Sequence, residues 1–136
     1  MQALVVDDSR TMRAILARIL SGLGADVGQA EDAASALKYF NANEVPDIAL
    51  VDWHMPGMNG LELVAAIRAE KRFEPMSIMM VTTEGEPEQI SAALAAGANE
   101  YLVKPFTQEA VAEKLSILGI VGEGSSDGLP MEVTSQ

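Results

Sequence analysis

The sequence predicts an α/β fold: a doubly wound, parallel five-stranded sheet with helices on both faces. Two observations carry this reading. Short apolar runs recur at regular intervals along the chain, and between them apolar residues return every three or four positions, the spacing of amphipathic helices. None of the runs shows the polar alternation of a half-exposed strand, so most are covered on both sides, as parallel strands are. Strands that alternate with helices in this way connect through right-handed crossovers. A length of 136 residues suits one domain with a real core.

The elements follow in order. "ALVV" at 3–6 is the first strand. Met12, Ile15, Leu16, Ile19, Leu20 and Leu23 make the apolar stripe of the first helix, with Ser9 as N-cap and Gly22 and Gly24 as stop signals. "ADVGQA" at 25–30 is a weaker second strand, and residues 32–42 form a helix with Leu37 and Phe40 on one side. "DIALV" at 47–51 is the third strand, and a helix over 60–70 gathers Leu61, Val64 and Ile67. "SIMMV" at 77–81 precedes a helix over 87–97 that aligns Ile90 and Leu94 and stops at Gly97. "EYLV" at 100–103 leads to a last helix over 107–118 carrying Val111, Leu115 and Leu118. Beyond Gly119 the composition turns to Gly and Ser with no period, so residues 1–120 read as the domain and 121–136 as a flexible C-terminal tail.

Composition narrows the function classes. Twenty acidic against nine basic residues leave a net charge of -11, which argues against direct nucleic-acid binding, since phosphate backbones require clustered Lys and Arg. Such a surface suits basic partners, bound cations or plain solubility. No cysteine is present, so disulfides and thiolate metal sites are excluded. No apolar run approaches the roughly 20 residues needed to cross a bilayer, and the first twenty lack a signal-peptide layout, so a cytoplasmic location with no membrane partner is expected.

What the strands deliver at their carboxyl ends defines a candidate site, because in open α/β sheets ligands bind along that rim. The first strand ends in Asp7 and Asp8, the third in Asp52, the fourth in Thr82 and Thr83, and the fifth in Lys104. Carboxylates so close repel one another and demand compensation, from a divalent cation among Asp7, Asp8 and Asp52 or from Lys104. All-oxygen ligands favour Mg²⁺, with Mn²⁺ as the alternative ion. A carboxylate beside such an ion, with Lys and Thr donors nearby, is equipped to attack phosphorus and form an aspartyl phosphate. Each residue alone has a plainer use: Asp8-Ser9 as a helix cap, Asp52 as a turn former, Lys104-Pro105 as a surface turn.

"LVVDDSRTMR", "VDWHMPGMNGLEL", "MMVTTEG" and "GANEYLVKPF" closely resemble response-regulator receiver domains, in particular single-domain chemotaxis regulators of the CheY type. The likeness covers residues 2–118, with every motif in order. It implies a flavodoxin-like sheet of order 2-1-3-4-5 and a phosphoacceptor at Asp52. It further implies Mg²⁺ bound by Asp8, Asp52 and the His54 backbone carbonyl, with Asp7 acting through a water. Thr82, Thr83 and Lys104 would contact the phosphoryl group, and Lys104-Pro105 would be a cis peptide. By the same resemblance Thr82 and Tyr101 form a switch that remodels the face of the fourth helix, fifth strand and fifth helix. The donor would be a sensor histidine kinase. The output partner would be a flagellar-motor switch component or a phosphotransfer protein, bound by a monomer. Such a protein is a phosphoacceptor that assists its own phosphotransfer and dephosphorylation rather than an enzyme. His54 stands where Asn is frequent, and with Glu84 it is expected to tune the phosphoryl lifetime; Trp53 should report ion and phosphoryl binding.

Other readings remain open at this stage. One is a phosphorelay shuttle or the receiver part of a longer regulator. Another is a phosphatase with an aspartyl nucleophile, although such enzymes carry a second Asp where His54 stands. A flavin or dinucleotide binder needs a glycine- or hydroxyl-rich phosphate loop after the first strand, and Asp7 and Asp8 occupy that place.

Overall fold

The computed structural model describes residues 1–83 and 85–120; the expectations for Glu84 and for a tail at 121–136 lie outside the described residues. The elements run β1 (Gln2–Val6), α1 (Arg10–Gly22), β2 (Asp26–Ala30), α2 (Ala33–Ala42), β3 (Ile48–Asp52), α3 (Gly60–Arg68), β4 (Ser77–Thr82), α4 (Pro87–Ala96), β5 (Glu100–Val103) and α5 (Gln108–Ile117). A short 3-10 turn at Lys71–Phe73, between α3 and β4, was not anticipated. All strand pairs are parallel and the order is β2-β1-β3-β4-β5, as expected.

Strand alternation divides the core between two faces. Ala3, Val5, Ile48, Leu50, Met79, Val81 and Leu102 pack beneath Leu16 and Leu20 of α1 and Val111 and Leu115 of α5. Leu4, Val6, Ala49, Val51, Ile78 and Met80 face α2, α3 and α4, where Phe40 and Phe73 meet with ring centroids 4.9 Å apart. The helix starts obey local chemistry. The Ser9 hydroxyl accepts from Met12 N–H, and the Asp32 carboxylate accepts from Ser35 N–H at 2.7 Å, which holds the Asp32 carboxyl below its ordinary range.

Two expectations about helix faces fail in the same way. Leu94 is 45% exposed and Ile15 is 43% exposed, although both fall on the apolar stripes of their helices. In α4 the one buried residue is Ala93, which joins the cluster containing Ile78 and Met80, while Leu94 beside it is turned outward. A small residue at the contact lets a helix approach closely, and a hydrophobicity pattern weighted to large side chains misplaces that face. β2 is a sheet edge with most side chains at least partly exposed, which explains the weaker apolar signal of "ADVGQA".

Candidate functional site

β3 carries the central residue of the site. Its five side chains are all buried, and the last of them is Asp52, 5% exposed. β1 runs parallel beside it, with Val6 opposite Val51, so the residues that follow, Asp7 and Asp8, arrive at the same rim. Asp7, Asp8 and Asp52 each bring one carboxylate oxygen to a common point, all within 4.8 Å of one another. Asp7 is buried and Asp8 exposed, so the cluster opens to solvent on one side.

The backbone of the rim is tied down on several sides. Asp7 N–H donates to Ala30 O at 3.1 Å, and the Arg13 guanidinium donates to Asp7 O at 2.7 Å. One Asp7 oxygen accepts from Ser9 N–H at 2.8 Å. After Asp52 the chain turns: Trp53 N–H donates to Val81 O at 3.1 Å, and Trp53 O accepts from Gly60 N–H at 2.8 Å. A Cβ on Gly60 would collide with the Asp52 carbonyl oxygen, so only glycine allows α3 to start this close to the acid. The Asn59 and Glu62 side chains then cap α3 reciprocally, at 2.8 and 2.9 Å.

Lys104 completes the constellation. Its N–H donates to Thr82 O at 2.7 Å, and the Lys104-Pro105 bond is cis. The ammonium lies 3.2 Å from Asp52 Oδ1 and 3.5 Å from Asp7 Oδ2. The second contact is within ion-pair range without making a hydrogen bond, so a buried carboxylate oxygen on Asp7 has no hydrogen-bond partner. Burial pushes the Asp52 carboxyl above its ordinary value, Asp7 repels its charge further, and Lys104 compensates only in part.

An orphaned buried oxygen, three converging carboxylates and one ammonium are a site short of positive charge. The donors are all oxygens, which fits a hard divalent cation such as Mg²⁺.

Asp7, Asp8, Asp52 and Lys104 meet as the strand-end argument required. Thr82 is buried at the end of β4, while Thr83 is exposed. His54 is exposed on the loop after β3, and Tyr101 is half-buried on β5. Sequence reasoning missed Arg13, Gly60 and the Asn59–Glu62 cap. The cap was readable as N-x-x-E ahead of an apolar run, and Gly60 as a glycine opening a helix.

Comparison with known proteins agrees with this geometry. The family model for the response regulator receiver domain matches residues 3–116. A chemotaxis protein CheY homolog of Campylobacter jejuni subsp. jejuni serotype O:23/36 (strain 81-176) is 49% identical over 129 residues, 94% of this chain and 98% of the relative. Among solved structures, chemotaxis protein CheY4 of Vibrio cholerae superposes with a TM-score of 0.80 at 34% identity, covering 85% of this chain and 96% of that one. The response regulator TrrA of Thermotoga maritima, in complex with Mg²⁺–BeF, gives a TM-score of 0.75 at 32% identity over 86% of this chain and 97% of that one. The motif order, the strand order and the acidic rim converge on one assignment: this chain belongs to the response regulator receiver domain family and is of the CheY type.

Proposed function

We propose that Asp52 accepts a phosphoryl group from the phosphohistidine of a sensor histidine kinase, and that the resulting aspartyl phosphate switches the face formed by α4, β5 and α5 for protein binding. The observation that carries this is the meeting of Asp7, Asp8 and Asp52 within 4.8 Å, with Lys104 3.2 Å from Asp52. Asp52 supplies the attacking oxygen; an O–P bond forms, the donor's N–P bond breaks, and the leaving imidazole keeps the electron pair and takes up a proton. Lys104 and the Thr82 hydroxyl share the charge of the transferred group, with Thr83 at the solvent edge. Asp7, Asp8, Asp52 and the His54 carbonyl would hold Mg²⁺ or Mn²⁺, which when bound neutralises the oxygens of the transferring group. Lys104 spans Asp52 and Asp7 at a distance that suits it to follow charge from carboxylate to phosphoryl oxygen.

The output reading rests on Thr82 and Tyr101. Met80 pairs with Tyr101 and Thr82 with Val103, so Thr82 and Tyr101 share one face at a diagonal that an aromatic side chain can span. Thr82 turns toward the phosphoryl group and Tyr101 into the vacated space. Recognition of that face by a flagellar-motor switch component is favoured over a phosphorelay role by the chemotaxis relatives. The working form is a cytoplasmic monomer. We assign the tuning of the phosphoryl lifetime to His54 and Glu84, and His54→Asn is expected to change the dephosphorylation rate several-fold.

The deciding experiment is incorporation of label from acetyl phosphate with Mg²⁺. The parent should be labelled and Asp52→Asn should not; equal labelling would overturn the assignment.

A further inference from the structure

Glu100 and Tyr101 are neighbours on β5, so their side chains leave the sheet on opposite faces. Tyr101 packs against the cluster that contains Met80 and Ala93, whereas Leu102 joins Val111 and Leu115 of α5 on the other side. Yet one ammonium touches both neighbours. Lys114 Nζ lies 3.1 Å from Glu100 Oε1 and 4.4 Å from the centroid of the Tyr101 ring. β5 ends the sheet, so Lys114 comes over the Tyr101 ring around the open edge. The same Glu100 oxygen also accepts from Tyr101 N–H at 3.0 Å, tying the ring's own backbone to the carboxylate. The Lys114 and Glu100 side chains are 22% and 15% exposed, so this is not a solvated surface pair of the kind that contributes little.

We propose that Glu100 and Lys114 are positioning residues that clamp the Tyr101 ring at the open edge of β5 and thereby set the resting bias of the output switch. The inference rests on the switch role given to Tyr101 above. Turning the ring toward Thr82 takes it off the Lys114 ammonium, so the attraction between cation and ring opposes the phosphorylated arrangement. A ligand that favours the turned ring must overcome this bias, and its apparent affinity falls accordingly.

The test uses the full chain carrying Tyr39→Phe, so that 3-fluorotyrosine labels Tyr101 alone. Beryllofluoride with Mg²⁺ is titrated while the Tyr101 fluorine resonance and Trp53 emission are followed together. Lys114→Met should shift the resonance before any beryllofluoride is added and lower its half-saturating concentration by about two- to tenfold. Lys114→Arg keeps a cation over the ring and should stay close to the parent; Glu100→Gln should move in the direction of Lys114→Met. Lys71→Met, an exposed charge on the turn before β4, should match the parent. A parent-like titration of both Lys114→Met and Glu100→Gln would overturn the clamp, as would an equal shift for Lys71→Met. If the parent's ring fails to move while Trp53 reports saturation, the switch role of Tyr101 falls and the clamp's regulatory role with it. A ring that moves but ignores both substitutions removes the clamp alone.

Discussion

The Lys104 ammonium lies 3.2 Å from the Asp52 carboxylate, with the two side chains 18% and 7% exposed, and it also faces Asp7. A single cation therefore serves two buried acids. Removing it leaves two buried carboxylates repelling each other. Lys104→Met is expected to lose about 1–3 kcal/mol in urea unfolding at neutral pH with EDTA present. Mg²⁺ should return part of that loss by supplying positive charge to the same oxygens. Unchanged stability in EDTA would show that Lys104 does not compensate the acids.

The raised pKa of Asp52 has a consequence of definite sign. The folded protein holds this proton more tightly than the unfolded chain, because burial and Asp7 disfavour the ionised form. Stability linked to Asp52 is therefore fully present below the ordinary carboxylate range and is lost as pH rises through the raised value. Asparagine resembles the neutral acid. Asp52→Asn should melt higher than the parent at neutral pH without divalent ions, and the difference should shrink as pH falls and vanish only below about 4. Thermal melts across that interval check it; an asparagine variant less stable at neutral pH would contradict the sign.

Gly60 sets how closely α3 approaches the acid. A Cβ there meets backbone, the Asp52 carbonyl, which cannot rotate aside as a flexible side chain could. Gly60→Ala should cost about 2–4 kcal/mol in denaturant unfolding. Because the displaced atoms belong to Asp52, labelling by acetyl phosphate should slow more than under a core truncation of equal cost, such as one at Phe73.

Much of this was legible in the sequence, for a physical reason. Parallel strands buried on both faces leave continuous apolar runs, and the first polar residue after each run marks the rim, so Asp7, Asp52, Thr82 and Lys104 were found by reading where hydrophobicity stops. Leu94 was misplaced because Ala93 makes the contact of α4, and an alanine contributes little to an apolar stripe. Arg13, Arg68 and the Glu100–Lys114 pair were invisible because each acts on a group outside its own helix or strand, which no hydrophobic pattern marks. A charge on a helix reads as solvated surface until its partner's position is known.

Trp53 is the single tryptophan, half-buried, and its backbone is hydrogen-bonded to Val81 on one side and Gly60 on the other. Held one residue beyond Asp52, it should change emission when a divalent ion enters the acidic cluster. Titration with Mg²⁺ should saturate in the parent, and Asp8→Asn should raise the midpoint at least about tenfold by removing a charged ligand. A Trp53 response insensitive to Asp8→Asn would place the ion elsewhere.

Arg68 at the end of α3 holds the far end of α4. Its guanidinium donates to Gly97 O at 2.9 Å, Phe73 O at 2.6 Å, Met76 O at 2.7 Å and Asn99 Oδ1 at 2.7 Å. Asn99 Oδ1 also accepts from Ile78 N–H at 2.8 Å, so one planar group joins α3, the turn before β4, and the α4–β5 connection. Burial pushes the Arg68 pKa down, but guanidinium starts high enough to keep its charge, and its fork satisfies acceptors in several directions. A lysine has one nitrogen and cannot reach all four. Arg68→Lys should lose about 1–3 kcal/mol by leaving part-buried carbonyl acceptors unpaired. α4 buries only one residue fully, Ala93, so the loss should appear there first. Hydrogen exchange should accelerate in α4 well before α1, whose Leu16 and Leu20 are fully buried; uniform acceleration would mean that Arg68 supports the whole fold rather than the end of one helix.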